Sequence, residues 1–100
     1  MEFVEVASLE ELRESKRKKI EIEGQSILLI YRGGEVFAIN SVCPHAGGPL
    51  EEGEINQDDI SCPWHFYTFN IRDGSCLNSP SCRIRKYNIK LEGEKVLIKI

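Results

Sequence analysis

Two mixed pairs of soft metal ligands constrain this chain more than any other feature: Cys43-Pro44-His45 and, after sixteen intervening residues, Cys62-Pro63-Trp64-His65. Both histidines of the 100-residue chain lie in these pairs. A C-x-H or C-x-x-H spacing lets two side chains from one tight loop converge on a metal, and Pro44 and Pro63 stiffen the two loops. Two such loops facing each other supply four ligands. Taken singly, each residue reads as a buried cysteine or a hydrogen-bonded core histidine, but the four together point to a metal. A structural Cys2His2 zinc site, stabilising an interaction module, accepts the same donors, although zinc sites usually pair like with like. Mixed pairs suit a centre of two metals with different ligands.

The pairs sit in a stretch, about residues 41–81, that is dense in Gly, Pro, Cys and Asn and short of long periodic runs. Something other than a hydrophobic core is expected to organise it. Its flanks are β-rich. Phe3, Val4 and Val6 read as a first strand, after which Ser8 is a helix N-cap with Glu11 as its capping-box partner. A short helix from about Leu9 to Glu14 follows. Lys19 to Glu23 alternates polar and apolar, the mark of a strand with one solvated face. Gly24-Gln25 turns the chain into Ser26–Arg32, and Gly33-Gly34 joins that run to Glu35–Ile39 as a two-residue hairpin. At the far end Tyr87, Ile89 and Leu91 alternate, Glu92-Gly93-Glu94 turns, and Val96, Ile98 and Ile100 alternate again. The pattern predicts one domain over residues 1–100, all-β with a single short helix.

A formal net charge of −3 gives no basis for a phosphate-binding surface, so nucleic acid is not an expected partner. The basic run Lys16 to Lys19 is framed by Glu10, Glu11, Glu14, Glu21 and Glu23 and reads as a solvated face. The longest apolar stretch, Ile27 to Tyr31, falls well short of the roughly 18 residues of a membrane span. Met1-Glu2-Phe3-Val4-Glu5 lacks a basic leader and an apolar signal core, which makes the cytoplasm the expected location. In such a reducing compartment four cysteines point to free thiols or metal binding before disulfides.

Cys43-Pro44-His45-Ala46-Gly47-Gly48-Pro49-Leu50 and Cys62-Pro63-Trp64-His65, with Phe69 and Gly74 following, resemble the two cluster-binding boxes of the Rieske family. Pro80 resembles the proline of that family's third, covering loop. The resemblance implies an antiparallel β-sandwich or barrel base that carries a small cluster-binding subdomain at about 41–81. It also implies one [2Fe–2S] cluster, with Cys43 and Cys62 on the inner iron and His45 and His65 on the outer one.

The implied activity is one-electron transfer with no substrate chemistry of its own, since no catalytic base or nucleophile is indicated. The implied partners are a flavin-dependent reductase and a terminal oxygenase or reductase; a small subunit of an assimilatory nitrite reductase is the neighbouring possibility. High-potential respiratory relatives carry extra box cysteines and hydroxyl-bearing residues after the second box. This chain has Gly48, Trp64, Tyr67 and Phe69 in the corresponding places; Phe69 cannot donate and Tyr67 is too long to stand simply for a serine, which implies the low end of the family's range of potentials. Phe66 departs from the glycine that many relatives place after the second histidine. Cys76 and Cys82 are expected to be free thiols.

Overall fold

The structure is a computed structural model that describes residues 3–42, 48–63, 67–77 and 83–99. Strand β1 (Phe3–Ser8), helix α1 (Leu9–Ser15) and strands β2 (Arg17–Ile22), β3 (Gln25–Arg32) and β4 (Glu35–Asn40) come first. The short strands β5 (Glu54–Asn56), β6 (Asp59–Ser61) and β7 (Thr68–Asn70) follow, and β8 (Lys86–Glu92) and β9 (Lys95–Lys99) close the fold. Ser8 caps α1 as expected, its Oγ accepting from the Glu11 N–H at 3.1 Å. The Glu11 carboxylate pairs with Lys18 at 2.8 Å.

The long strands form a six-stranded antiparallel sheet in the order β1-β9-β8-β4-β3-β2. Strands β1 and β2 lie at opposite edges, yet α1 joins them. Laid flat, six strands would separate the edges by about 24 Å at about 4.8 Å per strand, whereas a helix of 7 residues spans about 10 Å. The sheet therefore curls on itself, with α1 drawn across the seam and its Leu9 and Leu12 buried.

The β2–β3 register pairs Ile22 with Gln25, so the turn is Glu23-Gly24, one residue earlier than the sequence reading placed it. Both turn residues have positive φ, 49° and 77°, the backbone of a type I′ hairpin. The β3–β4 hairpin turns on Gly33-Gly34 as expected, pairing Arg32 with Glu35.

Ile27, Leu28, Leu29 and Ile30 are all buried, so β3 has no solvated face. The reason is that β3 stands between two cores. Ile27 and Leu29 pack inside the curled sheet with Leu12, Ala38, Val96 and Ile98. Leu28 and Ile30 face the other way and pack, with Ile39 of β4, against Leu50, Ile60, Cys62, Phe69 and Ile84. The 41–81 stretch is thus organised by a hydrophobic core after all, which corrects the sequence expectation. Its strands β5, β6 and β7 have only three residues each, too short to show a period, and pair as a second antiparallel sheet.

The basic run near residue 17 also does more than face solvent. Lys18 and Lys19 pair with Glu11 and Glu51, while half-buried Arg17 donates from Nη1 to the carbonyls of Glu51 at 3.0 Å and Gly53 at 2.7 Å. Arg17 so ties β2 to the insert. A second tie is Arg72, which meets Asp58 and, on β4, Glu35, each at 3.0 Å, and lies 5.0 Å from the Phe37 ring centroid. These carboxylates, Glu35 foremost, raise the Arg72 pKa further and keep it charged.

Candidate metal centre

Three chain segments carry the predicted chemistry, and backbone pairing closes each at its stem. The first leaves β4, where the Val42 N–H donates to Asn40 Oδ1 at 2.9 Å. It returns where Pro49 pairs with Val42 and the Leu50 N–H donates to the Ser41 carbonyl at 2.8 Å. The second leaves β6 and is closed by the Cys62 N–H donating to the Tyr67 carbonyl at 2.7 Å. The third is closed by the pairing of Ser75 with Arg83 and by the Ile84 N–H on the Gly74 carbonyl at 2.9 Å.

Gly74 holds this last closure for two reasons. Its φ is +80°, and a Cβ there would lie 2.5 Å from the Ile84 carbonyl oxygen. An L side chain is excluded by conformation and by space. Asp73 braces the same turn by accepting from the Ser75 N–H at 2.8 Å, and this bond, with one from the Ser75 side chain, pulls its carboxyl pKa below the usual range.

One core unites the three stems: Ile39 from the first, Cys62 from the second, and Cys76 with Ile84 from the third. Cys62 is fully buried and in no disulfide. Cys43, His45 and His65 lie outside the described residues, as do Trp64, Phe66, Pro80 and Cys82. Among the described residues no three His, Cys, Asp or Glu side chains gather to hold a metal. Cys76 is buried, free and paired across the strand with Phe69. Phe69 is itself fully buried, and Tyr67 packs half-buried on the same core. Glu52 and Glu54 border an open depression that reaches Ser61, Cys62 and Pro63.

Two observations test whether a cluster fits here. A buried cysteine in an apolar layer suits an inner-iron ligand, because its thiolate needs a cation beside it when removed from water. Ser41 Oγ, two residues before Cys43, is buried with no hydrogen-bond partner among the described residues. A hydroxyl left so costs about 1–3 kcal/mol, and an acceptor arriving at this stem would relieve it. Sequence reasoning passed over Ser41, and also Arg17 and Gly53, whose Cβ would strike the Ser61 carbonyl. No pattern marks such residues, since each matters only through a neighbour distant in sequence.

A curled antiparallel sheet and a small second sheet that share one core, with a buried cysteine at a segment stem, define a two-sheet antiparallel β domain. The match is specific: residues 2–88 fit the model of the Rieske [2Fe–2S] domain, and the chain belongs to that family, whose cofactor is one [2Fe–2S] cluster. Mouse apoptosis-inducing factor 3 (Mus musculus) is 33% identical over 94% of this chain, which spans only 16% of that protein's length. The ferredoxin component of biphenyl 2,3-dioxygenase from Rhodococcus jostii RHA1 is 32% identical, over 98% of this chain and 92% of its own. The ferredoxin of carbazole 1,9a-dioxygenase from Nocardioides aromaticivorans IC177 superposes with a TM-score of 0.87 at 26% identity, covering 98% of this chain and 97% of its own. No helix among the described residues is long and apolar enough to cross a membrane.

Proposed function

We propose that this chain carries single electrons from a flavin-dependent reductase to a terminal oxygenase or reductase. The observation that carries the reading is the near end-to-end match to a dioxygenase ferredoxin component of similar length. In this reading Cys43 and Cys62 hold the inner iron, and His45 and His65 hold the outer one. Each of the two Cys/His pairs in the sequence offers one cysteine and one histidine.

When bound, the cluster supplies a one-electron couple, neutral when oxidised because two thiolates and two sulfides balance two ferric ions, and singly negative when reduced. The chain does the rest. The core around Cys62 excludes water from the thiolate side, and neutral imidazoles in place of two thiolates make an added electron easier to accept, within about −150 to +300 mV. Fully buried Phe69 offers no hydroxyl to a sulfur, which favours a midpoint below about 0 mV.

Purified protein should hold equal iron and acid-labile sulfide, about two of each. Cys62→Ser should lose both, while Cys76→Ser keeps the cluster. One zinc with no sulfide, in a colourless protein, would overturn the reading in favour of a zinc-stabilised interaction module.

A further inference from the structure

We propose that Ser41 donates a hydrogen bond from its buried hydroxyl to a sulfur of the cluster and thereby raises the midpoint potential, an inference that rests on the cluster reading above. Ser41 is the one buried polar residue among those described, with none of its surface accessible. Its N–H donates to the Ser26 carbonyl at 3.0 Å, and its own carbonyl accepts from Leu50, so both backbone groups are satisfied inside the protein. The hydroxyl alone lacks a partner among the described residues. Buried polar groups in native proteins are nearly always paired, and an exception calls for a missing acceptor.

The place of the residue says which acceptor. Side chains along β4 alternate, Val36 and Ala38 entering the curled sheet and Phe37 and Ile39 entering the core that also holds Cys62. Ser41 continues the second series, one residue past the end of the strand and two before Cys43. Its backbone carbonyl is bonded to Leu50, another member of that core. A small hydroxyl on the face shared with one cysteine, two positions from the other, is placed for sulfur. Phe69 has no hydroxyl to donate, and Ser41 supplies one at the stem of the first segment. A donor to sulfur stabilises the reduced, more negative centre more than the oxidised one, so it raises the potential.

Ser41→Ala and Ser41→Thr variants of the holoprotein test this by voltammetry, with the visible spectrum and iron content as controls. Ser41→Ala should keep its cluster and shift the redox equilibrium toward oxidation about three- to tenfold, the upper figure corresponding to about 59 mV for one electron. Serine does not titrate, so the offset should be the same at every pH. Ser41→Thr, which keeps the hydroxyl, should restore the potential. In the cluster-free protein Ser41→Ala should be as stable as the parent or more so, because there it removes an unpaired buried hydroxyl. An unchanged midpoint in fully loaded Ser41→Ala overturns the proposal and leaves the electron-carrier reading intact. A parent protein that binds no [2Fe–2S] cluster overturns both.

Discussion

The curled sheet and the insert that holds the predicted ligands are built by opposite means. In the sheet, strands of five to eight residues pair through tight hairpins, and the apolar side chains they turn inward form the core. In the insert the strands have three residues each, and few ladder bonds hold them. Closure there falls to single contacts: Cys62 to Tyr67, Ile84 to Gly74, and the arginine ties at Arg17 and Arg72. A structure held by repetition tolerates the loss of any one contact. One held by single contacts leans on them and, in the proposed reading, on the cluster.

The largest expected effect comes from removing the cluster. Hydrogen exchange at Cys62, Leu77 and Ile84 should then accelerate on the order of a hundredfold, while Leu28 to Ile30 change little, because local opening follows local contact density. Uniform acceleration across both regions would mean that they unfold as one unit and would break the comparison.

Neighbouring residues on β3 sharpen it. Leu28→Ala and Leu29→Ala each leave a cavity costing about 2–5 kcal/mol in the holoprotein, read by denaturant unfolding. Leu28 faces the insert and Leu29 the curled sheet. On cluster removal the Leu28→Ala penalty should shrink and the Leu29→Ala penalty persist. Equal penalties in the cluster-free protein would show that the insert keeps its packing unaided.

Arg17→Gln removes two charge-assisted hydrogen bonds across the junction and should cost about 1.5–3 kcal/mol. The loss should be accompanied by faster release of iron to a chelator, since the carbonyls it holds belong to Glu51 and Gly53 of the insert. Stability lost with no change in iron release would confine the role of Arg17 to the sheet.

The smallest effect is at Asp73, which is exposed. Its carboxyl pKa is depressed in the folded chain by the Ser75 N–H and then the Ser75 hydroxyl. The stabilisation is therefore present above the unfolded-state pKa and fades as pH falls through the folded-state value. Asp73→Asn should lower the melting temperature slightly at neutral pH and leave it unchanged in strong acid. A difference that persists at low pH would assign the effect to the turn backbone instead of the charge.

Local chemistry was legible from the residues alone. Alternation in β2, β8 and β9, the Gly33-Gly34 turn and the Ser8 cap each depend on neighbours within a few positions, so composition and period determined them. The Cys/His pairs suggested a metal centre by spacing, and the family that their surroundings resembled is the one the chain belongs to. What tertiary structure decided was everything that depends on distant partners. The run Ile27–Ile30 is apolar throughout because two cores meet on β3, and no period within the run records which residue faces which core. The insert hid its strands because three-residue pairs are too short to repeat. Arg17 looked like one more surface charge until the fold brought the carbonyls of Glu51 and Gly53 to it. Ser41 looked like any serine until packing took its hydroxyl out of water and left it without a partner among the described residues, and a desolvated polar group is a property of the folded environment that no local pattern encodes.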